Sequence, residues 1–397
     1  MTPIARAAAV AATVLATALA ARTDAATVNS KAGPVNVESL AKLDNPWGMT
    51  FLPDGRLLIS EKPGRLRTFA DGKLSDPIGG VPKVAYRGQG GLLDVEIDPK
   101  FAQNQLVYIY YSEPAEQQPP NAKDTVDQRL GANFRPDDSQ LKGGAVARAK
   151  LEGNELRDLK VIWRQVPKTL GRGHFGGRLV FAPDGKLFIL SGERQRFEPA
   201  QDLSTNLGKV VRINPDGSIP NDNPFVNQPN ARPDVYCYGD RNPLGGAIYP
   251  RTGKLWLNEM GPKGGDELNV IEAGKNYGWP LVCEGTHYND APIRKHSSKP
   301  DVTPPLVFWN PVISPSGMIF YNGSMFPAWK GCAMIGGLSS RALVIVRPNG
   351  DRAAEDERLD MRMRIRDVIE APDGAILVLS DGNNGELLRL TPAKTTQ

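Results

Sequence analysis

The chain has 397 residues, 23% of them charged and 40% apolar, with a formal net charge of +4. That small surplus is scattered, with no run of lysines and arginines, which argues against a nucleic-acid binder or a polybasic membrane anchor. Glycine (41) and proline (34) are frequent and evenly spread, a composition suited to many short strands joined by tight turns.

In chain order, Arg6 precedes an apolar run from Ala7 to Ala20 that ends in Ala18-Leu19-Ala20. A positive start, a short apolar core and an A-x-A end predict a secretory signal peptide over residues 1–20, and hence a periplasmic or secreted protein. The run is short for a membrane span, and none is expected. Cys237, Cys283 and Cys332 show no C-x-x-C spacing, so no zinc site is predicted. They allow one disulfide of undetermined pairing, and at least one is expected to be a small buried apolar residue.

A turn followed by a strand recurs along the rest of the chain. It reads Pro53-Asp-Gly-Arg-Leu-Leu-Ile-Ser60, then Pro183-Asp-Gly-Lys-Leu-Phe-Ile-Leu-Ser191, with looser copies from Pro250 and Pro372. Asp98-Pro99 before Leu106–Ser112 is a fifth copy with a longer turn, and Pro315–Tyr321 is taken as a sixth. Proline presets φ, aspartate bonds back to the backbone and glycine accepts positive φ, so each copy starts a hairpin. A hairpin cannot bury both faces alone, and several must stack. Residues 114–143 and 284–305 are polar and irregular and read as loop insertions. The expected fold is all-β, a six-bladed β-propeller over residues 35–392 in one domain. In such a ring the chemistry comes from loops distant in sequence that converge on the axis.

Several of those loops carry candidate residues. Gln89 lies in Arg87-Gly-Gln-Gly-Gly-Leu-Leu-Asp94, and His174 in Gly171-Arg-Gly-His-Phe-Gly-Gly-Arg178 just before a strand. An imidazole flanked by glycines can serve as a base near neutral pH, or can simply bond neighbouring loops. Arg241-Asn242-Pro243 offers a planar guanidinium and an amide, or a plain surface turn. Glu259–Glu267, leading to Asn276-Tyr277-Gly278-Trp279, combines carboxylates with exposed backbone carbonyls, which suits calcium, although a solvated acidic turn has the same look. Arg362, Arg364 and Arg366 alternate; on a strand they would share one face, as an anion-binding wall or a solvated edge.

Taken in order, GQGGLLDV, GHFGGRLVFAPDG, YGDRNPLG, GPKGGDELN with NYGWP, and RIRDV before PDG resemble the glucose/sorbosone dehydrogenase family from about Trp47 to Leu390. That family includes soluble PQQ-dependent aldose sugar dehydrogenases. The resemblance implies a six-bladed propeller with PQQ and a calcium ion at the mouth of the axis, an aldose as substrate and a separate electron acceptor. It implies His174 as general base, and Gln89, Arg241 and Asn242 as cofactor contacts. Gly261 and Pro262 would face calcium through their main-chain oxygens, Glu267 and Tyr277 would form a cation site, and Tyr288 would be a pocket wall. Arg364 and Arg366 would hold the cofactor's carboxylates. Some members carry a cofactor-binding lysine on the fifth blade where Ser339 stands here, and Arg341 is the expected substitute from the same strand face. Met260 replaces a polar residue that some members have. A non-catalytic propeller that binds a sugar or protein is the alternative reading. A calcium-dependent lactonase would want several converging carboxylates, where these loops offer arginines.

Overall fold

Strand and turn alternate as the repeat predicts, and the strands form six antiparallel sheets arranged as the blades of a propeller. The computed structural model describes residues 26–393 except 126, 132, 133 and 135–137. The segment read as a signal peptide therefore lies outside the described residues. Blades one to six place their inner strands at Pro46–Phe51, Leu92–Ile97, Gly176–Phe181, Pro243–Ile248, Pro315–Phe320 and Ile365–Glu370. The ring closes within blade six, where Val35–Leu43 from the N-terminal side pairs with Gly385–Pro392 from the C-terminal side. Among the described residues no helix is long and apolar enough to cross a membrane.

The second strand of each blade shows why the blades stack. Leu57–Glu61, Leu187–Ser191, Leu255–Glu259, Ala333–Gly337 and Ile376–Ser380 are buried along their whole length. Successive side chains point to opposite faces of a sheet. Leu58 thus joins the cluster shared with blade two, while Leu57 and Ile59 join the one shared with blade six. Leu187 and Ile189 likewise pack towards blade two, and Phe188 and Leu190 towards blade four. A continuous apolar run is what a strand sandwiched between two neighbouring blades requires.

The turn copies from Pro53, Pro183, Pro250 and Pro372, and the longer one at Asp98-Pro99, all join first to second strands. The sixth does not. Pro315–Phe320 is itself the inner strand of blade five, and the connection there is the longer stretch from Tyr321 to Cys332. Pro-Ser-Gly resembles a turn, but Ser314 just before it takes the positive φ, and Ser316 lies on the axis with its hydroxyl 2.7 Å from Ile365 O. The described residues of 115–141 connect strands of blade two, and the stretch expected over 284–305 lies within the longer connection 271–306 of blade four. All three cysteines are free and buried.

Polar groups tie the inner strands together around the axis. Arg178 of blade three pairs with Asp94 of blade two at 2.8 Å and Asp367 of blade six at 2.9 Å. Asp94 also accepts from Leu179 N, and Asp367 from Met49 N. A buried charge needs partners that satisfy it from several sides, and this network links four blades.

Candidate active site

Every inner strand starts at the same end of the ring, so the loops entering these strands converge there, together with the ends of the second strands. Between them lies a cavity of about 200 Å3. Trp47, Gln89, Phe175 with Gly176, Leu244, Ser314, and Arg364 with Arg366 enter it from just before or within the inner strands of the six blades. Lys62, Met260 and Leu338 enter from just after second strands. The lining combines flat apolar faces with three cations.

His174 adjoins this cavity, next to Phe175 and Gly176. Its backbone is left-handed (φ 50°), and Gly176 follows at φ 65°. A Cβ on Gly176 would sit 2.4 Å from Leu190 O, so only glycine lets the loop press so close to the second strand. His174 N donates to Gln89 Oε1 at 2.7 Å, and Nδ1 lies 2.5 Å from Glu193 Oε1. Burial, then the Arg241 guanidinium, pushes the imidazole down to about 4, although Glu193 pulls the other way. Glu193 is held below its ordinary range: burial raises it, but His174 and Arg241 outweigh burial. The resulting state is a neutral imidazole beside an ionised carboxylate. Nδ1–H then donates to Glu193, and Nε2, which makes no hydrogen bond among the described residues, keeps its lone pair.

The loop that bears His174 is held from behind by Arg194, which is fully buried. Its guanidinium donates to the carbonyls of Gly173 (3.0 Å), Lys142 (2.9 Å) and Gly171 (2.6 Å), and stacks on Phe175 at 3.8 Å. Burial pushes this arginine down to about 9. Replacing Arg194 with methionine would orphan the Gly171 and Gly173 carbonyls, while Lys142 O keeps its bond from Thr169 N, so a loss of about 2–4 kcal/mol is expected in urea unfolding.

Arg241 lies beside Glu193 and His174. Its Nη1 donates to Met260 O and Gly261 O, both at 2.8 Å, and its Nη2 reaches the Tyr288 hydroxyl at 3.4 Å. Its buried Nε has no hydrogen-bond partner among the described residues. Asn242 Oδ1 accepts from Gly176 N at 3.1 Å, which locks this loop to that of His174. A second cavity of about 10 Å3, room for about one water, touches Arg241, Glu259, Gly261, Glu267 and Tyr277. Burial, and then Glu259, raises the Glu267 carboxyl well above its ordinary range. Among the described residues no group of three or more His, Cys, Asp or Glu side chains is placed to hold a metal. The Tyr277 hydroxyl is engaged by Val270 O and Glu272 N, and the Gly261 carbonyl by Arg241.

At the far side Arg364 and Arg366 both bind Asp381, at 2.8 and 2.7 Å. Burial raises Asp381, but Arg366 and Arg364 prevail and hold it at about 2.

The structure thus brings Gln89, Arg364 and Arg366 into one cavity, with His174, Arg241 and Asn242 against its wall. Gly261, Glu267 and Tyr277 meet at the smaller cavity, and Pro262 is buried beside Gly261. Tyr288 is 46% exposed and touches the site only through Arg241. Ser339 and Arg341 must be corrected. They lie in the turn between Ala333–Gly337 and Ala342–Asn349, both exposed, so no strand face is shared. Ser339 Oγ donates to Val312 O at 3.3 Å, and neither residue lines the cavity. Arg362 and Arg364 are both exposed and precede the strand, but Arg364 lines the cavity and pairs with Asp381 whereas Arg362 does not line it, so the arginine wall has two members and not three.

Sequence reasoning missed Trp47, Lys62, Glu193 and Asp381. A signal for three of these was present. Each repeated strand ends in Ser or Asn followed by an acid: Ser60-Glu61-Lys62, Ser191-Gly-Glu193, Asn258-Glu259 and Ser380-Asp381. In the ring these acids lie at the mouth, and each meets a site or neighbouring basic group.

A family model described as Glucose / Sorbosone dehydrogenase matches residues 43–389. The aldose sugar dehydrogenase YliI of Escherichia coli K12 is 42% identical over 367 residues, covering 90% of this chain and 93% of that protein. The crystal structure of the soluble E. coli aldose sugar dehydrogenase in its apo-form superposes with a TM-score of 0.81 at 41% identity, covering 90% of this chain and 100% of that one. The PQQ-bound aldose sugar dehydrogenase of Streptomyces coelicolor superposes with a TM-score of 0.69 at 26% identity, covering 92% and 99%.

Proposed function

The chain belongs to the glucose/sorbosone dehydrogenase family, and from that premise we propose that it oxidises aldoses at C1 to lactones with PQQ as cofactor. The observation that carries the reading is the pairing, at one end of the ring, of a neutral buried imidazole with a cation-lined, flat-walled cavity. PQQ is planar and carries three carboxylates; a buried site for it must offer flat apolar surface and compensating cations. Trp47, Phe175 and Leu244 offer the first, and Arg364, Arg366 and Arg241 the second. The unpartnered Nε of Arg241 is a buried donor still to be satisfied.

The bound quinone supplies the two-electron acceptor for the hydride that leaves the sugar's C1. The protein's own part is the proton. His174 Nε2 takes it from the C1 hydroxyl as the C1–H bond breaks, and the Glu193 carboxylate, on Nδ1, stabilises the imidazolium that forms. Gln89 and Asn242 fix the loop that carries the base, and Tyr288 stands at the exposed rim, where a sugar ring would enter. Repeated turnover would need a separate electron acceptor.

Calcium fits less well than PQQ. The Gly261 carbonyl serves Arg241, so Gly261 would join Pro262 as a ligand only by sharing that oxygen or once Arg241 lets go. Glu267 and Tyr277 would share a cation only at the small cavity beside them. The apolar leader over Ala7–Ala20 supports export to the periplasm or beyond.

Calorimetric titration of PQQ into the mature apo-protein, with calcium and with chelator, followed by dye-linked oxidation of an aldose panel, tests this reading. Saturable binding with sugar-dependent dye reduction is the expected result, and binding weakened by chelator would assign calcium. A folded protein that takes up no PQQ would instead be a sugar- or protein-binding propeller.

A further inference from the structure

The charge at the clamp does not balance on the arginines alone. Arg364 and Arg366 both spend ion pairs on Asp381, so two guanidiniums and one carboxylate leave a single net positive charge facing a tricarboxylate. Lys62 lines the same cavity and doubles that charge. Among the described residues its Nζ donates to a neutral acceptor alone, Gly88 O at 2.8 Å, and it lies 5.8 Å from the Tyr86 ring centre. Burial, then the Arg366 guanidinium, pushes the ammonium down to about 8, with Asp381 partly opposing. A cation kept in a field that is already positive is what a site for an anion looks like before the anion binds.

The residue is also held in place. Lys62 N donates to Asn45 O at 2.9 Å, and its carbonyl accepts from Leu92 N at 2.9 Å. Gly91 packs so tightly on that carbonyl that a Cβ there would come within 2.2 Å. The blade-two loop that carries Gln89 therefore fixes the backbone of Lys62, and only the side chain is left to respond to a ligand.

We infer that Lys62 is a cofactor-binding residue whose ammonium pairs with a carboxylate of bound PQQ beside Arg364 and Arg366. This rests on the PQQ reading of the cavity. It places the lysine contact on blade one, the ring neighbour of blade six, and not on the blade-five turn of Ser339 and Arg341.

The test is calorimetric titration of PQQ into the apo-forms of the parent, K62M and K62R in the same calcium-containing buffer. The K62M dissociation constant should rise by roughly tenfold to a hundredfold, the scale of a charge-assisted hydrogen bond, and K62R should recover most of the loss. A parent that binds PQQ alongside a K62M that binds as tightly overturns the inference and leaves the PQQ reading intact. A parent that does not bind overturns both. Thermal unfolding of each apo-protein is measured in parallel. If K62M is unstable, K62Q, which keeps a donor for Gly88 O and removes the charge, decides by the same criterion.

Discussion

Replacing His174 with alanine lowers sugar-dependent dye reduction by roughly a hundredfold to ten-thousandfold, the usual contribution of a positioned general base. PQQ affinity measured by calorimetry stays as in the parent, because the imidazole lines no part of the main cavity and the Gln89 side chain accepts from the main-chain N–H of residue 174, which the substitution keeps. The split between turnover and binding is the informative result. Turnover that survives the substitution would remove His174 from the mechanism, whereas equal losses in both would make it a structural residue. The pH profile gives a second check. Only the neutral imidazole can accept the proton, and burial holds its protonation down to about 4, against roughly 6.5 for a free histidine. Activity should therefore persist as pH falls through 6, with the acid limb of kcat/KM well below 6.5. A limb at 6.5 or above would mean that another group takes the proton.

The double substitution R364A/R366A is expected to weaken PQQ binding by at least roughly a hundredfold, since each guanidinium can make charge-assisted hydrogen bonds to a carboxylate. The loss has two sources. The clamp disappears, and Asp381 is left as a carboxylate facing the anion without a partner. The arginines hold that carboxyl at about 2 against burial; without them burial raises it. Adding D381N to the double variant should recover part of the affinity, which separates repulsion from lost attraction. Unchanged affinity in R364A/R366A would end the clamp assignment. The same pairing bears on stability. A carboxyl whose folded value is depressed stabilises the fold above its unfolded value of roughly 3.9, and that stabilisation is lost as pH falls towards 2. Acid unfolding of the apo-protein should accordingly start at higher pH in the double variant.

The amino-acid sequence by itself determined the all-β architecture, the hairpin turns at Pro53, Pro183, Pro250 and Pro372, and the loops that carry Gln89, His174, Arg241 and Arg364. These are local properties. A Pro-Asp-Gly turn and an apolar run of strand length act within about ten residues, and a chain of such units has few ways to bury its faces other than by stacking them in a ring. Tertiary structure decided what depends on the ring. Pro315-Ser-Gly has the composition of a turn but is drawn into the inner strand of blade five, where Ser316 bonds to the neighbouring inner strand of blade six. Ser339 and Arg341 look like alternating strand positions and fall in an exposed turn. Glu193 meets His174, and Asp381 meets the two arginines, between the first and second strands of a single blade, 15 to 19 residues apart. Arg241 and Lys62 join these pairs only because strand ends of different blades reach one mouth. The periodicity of a strand says which face a side chain takes. Only closure of the ring says which other blade's side chain it meets, and that pairing sets the charge and protonation on which the chemistry depends.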